Sequence, residues 1–407
     1  MADMQKVDRE WMHKNNQKLI LKAVLEEKEC SKAQIAARTG MSVVSVGRIT
    51  DELIAMGLLR ETGGEAVPGQ KAGRPAKRLA LPLERLQCVC VALELQGIHL
   101  GLVDPYGTLR NRTWIPFPKK TPLIQEEVMP WLARNLEQFF RENRKVRPLR
   151  WIGMVVQGIV DARRGEVVLT TKGWRNVPAV RYLEEHLPGC RVLLENETRA
   201  AALAECTLGR AAEDQNAVVL NLGESVNAAI VLDGALYRGG DGWAGEIGHV
   251  IVEPDGAPCI CGQRGCLRTK LALGPVLEKV RRIYPGVDLA GLVEYAQRGE
   301  PEAQALVDQV ADYACVAISL TLNAYAPERV ILCGSTIWDA PALRERIQRR
   351  CWERMGRYMP YPVPICADTF GRDGRLIGGG IQAFQQALED ILAGGEPGRT
   401  AMEPEKN

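Results

Sequence analysis

The chain has 407 residues, 46% of them hydrophobic, which is enough for two or three domains with a large buried core and excludes a disordered protein. The net charge of +2 indicates no particular partner, although residues 1–82 hold 14 Lys and Arg against 10 Asp and Glu. A charged N-terminus, no run of 18 apolar residues and twelve cysteines without secretory context predict a cytoplasmic protein without membrane insertion.

Three amphipathic helices are predicted near the N-terminus. Apolar spacing places the first at residues 16–27, the second at Lys32–Thr39 with Ser31 as its N-cap, and the third at 43–56. Gly40 supplies the turn between the second and third helices, an arrangement typical of a helix-turn-helix. The alternative is an ordinary three-helix bundle with a solvated charged face.

The third helix carries the predicted DNA contacts. Its buried stripe is predicted to be Val46, Ile49 and Leu53. Gly47 lies inside the helix, where glycine costs up to about 1 kcal/mol. The exposed N-terminal end then presents five residues to the base edges and phosphates of a major groove: Ser42, which is also the N-cap, Val43, Val44, Ser45 and Arg48.

A two-stranded wing is predicted after the third helix. Its strands are residues 58–60 and 76–81, with Gly73-Arg74-Pro75 before the return strand. The segment 1–82 resembles the winged helix-turn-helix of Mlc/NagC-type repressors in the ROK family, a family of sugar kinases and sugar-responsive repressors. The resemblance implies that Arg74 contacts the minor groove or the phosphates of double-stranded operator DNA.

The ROK resemblance also implies the fold of the remaining chain. Residues 83–393 are expected to form an α/β body with two actin/hexokinase-like (ribonuclease H-like) lobes, a sugar cleft and a zinc loop. Residues 394–407 are expected to be a disordered polar tail. In the family's kinases the first turn of the body is a glycine-rich Asp-x-Gly-Gly-Thr loop around the ATP phosphates. Here the segment Glu94-Leu95-Gln96-Gly97-Ile98 lacks the Asp, one Gly and the Thr.

Other elements of the body are predicted from apolar runs and turn residues. A strand is expected at residues 151–156, followed by a loop at 157–161. A terminal helix at 376–392 is expected to complete the second lobe. The kinase phosphate loop Gly-Thr-Gly is replaced by Gly223-Glu224-Ser225, and the glycines of the kinase adenosine site are incomplete at Gly334-Ser335-Thr336.

An apolar strand that ends at Asn196-Glu197 runs into an Ala-rich helix, so both polar side chains are expected to point to one place. ROK sugar kinases usually have Asn-Asp there, with the Asp as general base, and the longer Glu197 displaces that base by roughly 1 Å. The resemblance implies that Asn196 and Glu197 bind sugar. Asn196 is also a candidate helix N-cap, either alone or in addition to binding sugar.

One His and three Cys fall within residues 244–266, a span that one strand and its following loop could fold around a single ion. Ligands of this kind suit tetrahedral zinc, and four protein ligands make a closed structural site, one per chain. The predicted ligands are His249, Cys259, Cys261 and Cys266. The alternative is three reduced thiols beside an unrelated histidine.

The order Glu246-Ile247-Gly248-His249 is read as a turn that enters a strand, and residues 232–267 as a whole resemble the ROK signature. The resemblance implies that His249 binds zinc through one ring nitrogen and a sugar hydroxyl through the other, with Glu246 as a further sugar contact. Arg268 stands where the family usually has Glu. It could pair with Glu246, contact an acidic sugar or phosphosugar, or point to solvent.

Altered nucleotide motifs beside retained zinc and sugar residues favour a regulator over an enzyme. The first interpretation is a transcriptional repressor of carbohydrate-utilisation genes, a homodimer or homotetramer that responds to a sugar or sugar phosphate inducer. The second is an ATP-dependent sugar kinase with an attached DNA-binding domain. The third is a repressor that is controlled by a protein partner.

Overall fold

The computed structural model describes residues 2–63, 77–118, 125–170, 173–240, 242–356 and 362–394. The N-terminal part folds into three helices and a small antiparallel sheet with the order β1-β3-β2. Its elements are α1 (Ala2–Glu27), β1 (Glu29–Ser31), α2 (Lys32–Thr39), α3 (Val43–Ala55), β2 (Arg60–Thr62) and β3 (Arg78–Ala80). We call this part the winged module.

The predicted helices of the winged module are confirmed, with one correction. The Ser31 hydroxyl accepts a hydrogen bond from the Gln34 amide (3.2 Å), and the Gln34 side chain accepts one from the Ser31 amide (2.9 Å), so α2 begins with a capping box. Helix α1, however, begins at Ala2 and not at residue 16. Its first half has no apolar stripe, but Met, Gln, Lys and Glu favour helix without one.

The predicted wing is confirmed in outline, with the first strand shifted by two residues and the return strand shorter than expected. Strand β2 begins at Arg60, and β3 covers Arg78–Ala80 within the predicted 76–81. A third strand, β1, lies between α1 and α2 in the chain and pairs with β3. It was not predicted. Its three residues are too few for a period-2 pattern to stand out.

The first lobe is built on a five-stranded sheet with the order β11-β7-β4-β5-β6. Its elements are β4 (Cys88–Leu93), β5 (Gly97–Val103), β6 (Leu109–Pro116), α4 (Gln125–Glu142), β7 (Leu149–Val156), β8 (Gly158–Asp161), β9 (Glu166–Thr170), β10 (Arg175–Val177), α5 (Ala179–His186), β11 (Arg191–Asn196) and α6 (Glu197–Leu208). The loop predicted at 157–161 is wrong, because β8 pairs there with β9 in a separate three-stranded sheet.

The second lobe repeats this topology in the sheet β14-β13-β12-β15-β16. In both lobes the first three strands are antiparallel, and the fourth and fifth run parallel to the first. Its elements are β12 (Ala217–Leu222), β13 (Val226–Leu232), β14 (Ala235–Tyr237), α7 (Arg268–Leu271), α8 (Leu273–Ile283), α9 (Leu289–Gln297), α10 (Pro301–Tyr325), β15 (Arg329–Cys333), α11 (Ser335–Asp339), α12 (Pro341–Met355), β16 (Ile365–Ala367) and α13 (Gly374–Leu392). The repeated lobe confirms the expected actin/hexokinase-like architecture.

Helix α10 is the one helix in the described ranges that is long and apolar enough to span a membrane by length and composition. Half of its most apolar window is buried inside the protein, and its inner face includes Ala311, Ala314 and Ile318 of the second-lobe core. These contacts are those of a core helix.

The last helix, α13, lies on the first lobe and not on the second lobe as predicted. It packs on β7, β4 and α6, where three consecutive glycines bring the backbones together. Its amphipathic pattern shows that one face is buried, but the pattern does not say against which sheet. Its distal half shares an apolar cluster with the winged module, through Ala383, Phe384, Ala387, Ile391 and Leu392.

Candidate functional site

The structure brings the four predicted metal ligands together. The Nδ1 atom of His249 and the sulfur atoms of Cys259, Cys261 and Cys266 all lie within 4.8 Å of one another. Cys259 Sγ lies 3.6 Å from His249 Nδ1, and Cys261 Sγ lies 3.7 Å from Cys266 Sγ. Three soft ligands and one borderline ligand therefore surround one point.

These distances fit a tetrahedral zinc ion. With Zn–S of about 2.3 Å and Zn–N of about 2.0–2.1 Å, a regular tetrahedron has S···S edges of about 3.8 Å and S···N edges of about 3.6 Å. Burial and the charge of Arg268 lower the pKa of His249, which favours the neutral imidazole that a metal requires. The cluster can hold a metal ion with all four positions taken by protein.

Glycines shape the loop that carries the cysteines. Gly262 and Gly265 have φ angles of 91° and 68°, and a Cβ on Gly265 would lie 1.5 Å from the carbonyl oxygen of Glu253. Isolated bridges join Ile251 to Cys266 and Pro258 to Arg264. The chain therefore doubles back, so that Cys266 returns to Cys259 and Cys261.

The strand predicted at Glu246–His249 is wrong. Residues Ile247–His249 form one turn of 3-10 helix, and Gly245 and Gly248 press that turn against β13. A Cβ on Gly245 would lie 1.8 Å from the Ala228 carbonyl oxygen, and one on Gly248 would lie 2.2 Å from that of Val226. The close approach explains the two glycines on either side of Glu246.

Asn196 is the N-cap of α6, as predicted. Its Oδ1 accepts hydrogen bonds from the amides of Thr198 (2.9 Å) and Arg199 (3.2 Å), and its Nδ2 donates to the Gly158 carbonyl (2.7 Å). The side chain is buried, and its Nδ2 has one further N–H beyond the bond to Gly158. The role as N-cap is shown, and the second N–H is the group that a sugar oxygen could still accept from.

Glu197 follows Asn196 and is held less firmly. Its Oε1 accepts from the Ser225 hydroxyl (3.1 Å) and the Asn221 amide (3.4 Å), while its Oε2 lies 3.7 Å from the Arg375 guanidinium. Burial raises the pKa of Glu197, and the charge of Arg375 opposes that shift. The carboxylate therefore keeps capacity for another donor.

The turn between β4 and β5 contributes to an ion-pair cluster. Glu94 Oε1 lies 2.5 Å from an Arg375 nitrogen and 2.6 Å from His99 Nδ1. Burial acts to raise the pKa of Glu94, but the hydrogen bond from His99 and the charge of Arg375 outweigh it and keep the pKa below its usual value. Sequence reasoning missed Arg375, because it lies 281 residues beyond Glu94 in the chain.

A second hydrogen-bonded network lies before the metal loop, the segment 250–267 that carries the three cysteines. Arg199 Nε lies 2.6 Å from Glu195 Oε1, Arg238 donates to Glu195 Oε2 (2.7 Å), and Arg199 also donates to the Gly242 carbonyl (2.9 Å). Sequence reasoning missed these residues as well. The one signal for this network in the sequence was a pair of opposite charges four residues apart, Glu195 and Arg199.

Glu246 lies among charged groups of this region. Burial raises the pKa of its carboxyl, and the cations of Arg199 and Arg268 partly offset the shift. No residue in the described ranges donates a hydrogen bond to the Glu246 carboxylate. Arg268 is close enough for its charge to act on the Glu246 carboxyl, but the two side chains form no ion pair within 4 Å.

The predicted DNA-contact residues of α3 lie on the surface of the winged module. All five are exposed, and Val44 retains 84% of its accessible surface. The Ser42 hydroxyl accepts from the Ser45 amide (3.1 Å) and so caps α3. Arg48 forms no ion pair with any residue that the structure describes, whereas Arg38 on α2 pairs with Glu26 and Glu27. Arg74 lies outside the described residues.

The profile described as "ROK family" matches residues 88–385, which is more than half of the chain. This protein belongs to the ROK family. The chain is 23% identical to the xylose repressor of Bacillus spizizenii over 372 residues, which are 91% of this chain and 95% of that repressor.

Two solved structures of the ROK family cover different lengths of the chain. A ROK family transcriptional regulator, a homologue of the Escherichia coli Mlc protein, matches with a TM-score of 0.78 and 24% identity, over 94% of this chain and 98% of that one. The ROK hexokinase from Thermus thermophilus matches with a TM-score of 0.64 and 29% identity, over 74% of this chain and 99% of the hexokinase. The hexokinase is thus matched almost completely by a part of this chain.

Proposed function

We propose that this protein is a DNA-binding transcriptional repressor of carbohydrate-utilisation genes that responds to a sugar or phosphosugar in the cleft between its lobes. The observation that carries the proposal is the winged module joined to a ROK body. The xylose repressor and the Mlc homologue match more than nine-tenths of this chain, whereas the hexokinase matches only 74% of it. Residues 1–82 would read DNA and residues 83–393 would bind the sugar.

The proposed sugar contacts are Asn196, Glu197, Glu246 and His249. The partly satisfied carboxylates of Glu197 and Glu246 are suited to accept hydrogen bonds from sugar hydroxyls. Since His249 faces the cysteines through Nδ1, its Nε2 is left for a sugar hydroxyl. A structural zinc ion held by His249, Cys259, Cys261 and Cys266 would fix the orientation of the imidazole ring.

The proposed DNA contacts are made by the N-terminal end of α3 and by the wing. Val43 and Val44 are apolar side chains on the surface and are suited to thymine methyl groups. Arg48 is suited to a phosphate or a guanine edge, and Arg74 to the minor groove or a phosphate. A homodimer or homotetramer would place two winged modules on the half-sites of a pseudo-palindromic operator.

A sugar kinase is the second candidate, because the hexokinase shares 29% identity with the body. The cluster of Glu94, His99 and Arg375 argues against it. An ATP phosphate needs free amides and cations, but here Glu94 places a carboxylate in the turn and already pairs with the Arg375 guanidinium. We therefore propose that ATP-dependent phosphorylation of sugars has been lost.

The test is selection of genomic DNA fragments by the purified full-length protein, followed by titration of the enriched duplex at fixed salt. D-xylose and D-glucose are the sugar probes. We expect nanomolar binding and at least a tenfold loss of affinity with one of the sugars, with no ADP formed in a coupled assay. Glu246→Gln should lose the sugar response. Glu213→Gln should keep it, because Glu213 is an exposed residue that precedes β12. Rapid sugar phosphorylation without any enriched DNA would refute the proposal.

A further inference from the structure

Helix α13 begins at the proposed sugar cleft. Arg375, in its first turn, lies between two carboxylates, 2.5 Å from Glu94 Oε1 and 3.7 Å from Glu197 Oε2. The side chain of Arg375 is only 15% exposed, and its Nε has no hydrogen-bond partner among the described residues. Its contacts with Glu197 and Glu94 therefore depend on how those two carboxylates are occupied.

The middle of α13 lies directly on the backbone of the first lobe. A Cβ on Gly378 would lie 1.7 Å from the Ala200 carbonyl oxygen, and one on Gly380 would lie 2.3 Å from Val103 Cβ. A Cβ on Gly153 of β7 would lie 2.1 Å from the Gly379 carbonyl oxygen. Such close packing makes the helix and the elements beneath it move together, because close-packed interfaces change between discrete arrangements and do not deform smoothly.

The distal half of α13 meets the winged module. Ala387 and Ile391 belong to the same apolar cluster as Ile20 and Val24 of α1. Lys18 of α1 and Glu389 of α13 form an ion pair of 2.6 Å. With 19 residues at about 1.5 Å each, the helix spans about 28 Å, and its two ends contact the proposed cleft and the winged module.

The contact between α1 and α13 is incomplete on one side. A cavity of about 690 Å³ lies between them, lined by Leu21 and Leu25 of α1 and by Ile381 and Leu388 of α13. Because side chains do not fill this space, the contact of α1 with α13 is less complete than the contact of α13 with the first lobe. The winged module is therefore the less tightly packed of the two neighbours of α13.

Glu195 and Glu197 lie at the end of the same strand and differ in how they are held. Glu195 is completely buried, with strong bonds to Arg199 and Arg238. The contacts of Glu197, at 3.1 to 3.7 Å, are longer. A sugar hydroxyl that donates to Glu197 would draw this carboxylate away from its 3.7 Å contact with Arg375, whereas Glu195 is held by its shorter bonds.

We propose that Arg375 is a positioning residue that senses occupancy of the cleft through Glu197, and that α13 transmits the change to the winged module. This inference rests on the proposed function, because it needs both a cleft ligand and bound DNA. When Glu197 turns to a sugar hydroxyl, Arg375 keeps only Glu94 as its partner, the first turn of α13 moves, and the distal half shifts α1. The two bound states then differ in the position of the recognition helix.

The test measures affinity for the selected duplex with and without saturating sugar, the more effective of D-xylose and D-glucose, in four full-length proteins. The ratio of the two affinities should be about tenfold or more in wild type and should fall below about twofold in Arg375→Gln. Arg375→Lys, which keeps the cation, should recover part of the ratio. The matched control is Arg372→Gln, because Arg372 stands one turn earlier but pairs with Asp339, away from the two carboxylates.

Sugar-free DNA binding by Arg375→Gln reports whether the variant is folded. If it is not folded, Glu94→Gln breaks the same ion pair without altering α13 and should also lower the ratio. Hydrogen exchange should show sugar-dependent protection in α1 and α13 of wild type only. An unchanged ratio in Arg375→Gln, or an equal loss in Arg372→Gln, would overturn the inference and leave the proposed function intact. A wild-type protein that binds no DNA, or ignores both sugars, would overturn both.

Discussion

The metal loop and the helix-turn-helix are both short segments with functional side chains, and they are held in different ways. Residues 250–267 contain only two isolated β-bridges, and three of their side chains meet His249 at one point. In the helix-turn-helix, α2 and α3 each have a side-chain cap, and Val46, Ile49 and Leu53 are buried in a shared core. One segment depends on ligands, and the other depends on regular secondary structure.

This difference indicates which substitutions should unfold each segment. The loop has turn and bridge hydrogen bonds but no helix or named strand, so the loss of one of four converging ligands should affect much of it. A helix with a cap and a buried stripe distributes its stability over many contacts, so an exposed residue can be changed without unfolding it. Substitutions in the two segments should therefore separate stability from DNA binding.

The largest effect is expected from Cys259→Ser. Structural zinc sites have apparent binding free energies of about 10–16 kcal/mol in small domains. We therefore expect the variant to lose the metal and the free energy of unfolding of the second lobe to fall by roughly 5 kcal/mol or more. The fall is smaller than the full binding free energy because the second lobe keeps its own core. Elemental analysis gives the zinc content, and urea unfolding gives the stability. Chelation of the wild-type protein should give the same result.

Cys206→Ser is the matched control, because Cys206 is half-buried on α6 and outside the metal cluster. It should retain one zinc per chain and near wild-type stability. Hydrogen exchange of α2 and α3 should be unchanged in Cys259→Ser, since the winged module shares its apolar cluster with the first lobe and not with the second. Full stability of Cys259→Ser in a metal-free state would show that the loop is held by something other than an ion.

The sequence predicted the parts of the molecule that depend on local patterns. The caps Ser31, Ser42 and Asn196 were found, because each is a short polar residue directly before a helical pattern. The four candidate metal ligands followed from the local spacing of one His and three Cys, and the two lobes followed from the family resemblance. The path of the chain between those ligands did not, because a 3-10 turn pressed against β13 has no periodicity of its own.

Contacts between residues that are far apart in the chain could not be predicted from the sequence. The ion pair of Arg375 with Glu94 and the bonds of Arg238 to Glu195 join charged residues that resemble ordinary surface positions when they are read singly. The Gly378–Gly380 run was not interpreted at the sequence level, and the structure shows that these glycines lie against Gly153 and Ala200 of the first lobe. For that reason α13 was assigned to the wrong lobe.

The second-largest effect is expected from Arg48→Ala, and it concerns affinity for DNA and not stability. Arg48→Ala removes an exposed cation that has no partner among the described residues, so we expect a loss of about tenfold or more in affinity for the selected duplex and unchanged zinc content. A phosphate contact would also lower the slope of log affinity against log salt by about 1. Arg38→Ala is the control, because Glu26 and Glu27 already neutralise Arg38. Equal losses in both variants would indicate a general charge effect.

The smallest effect tests how α3 is held. Gly47 has a helical backbone and nothing within 4 Å of an added Cβ, so Gly47→Ala should stabilise the winged module by about 0.5–1 kcal/mol. Gly57, just beyond the helix, has equal space but a φ of 74°, so Gly57→Ala should destabilise it by about 1 kcal/mol. Urea midpoints of the full chain and hydrogen exchange of α3 measure both changes. Shifts of the same sign would contradict the view that backbone conformation, and not packing, sets the difference between these two glycines.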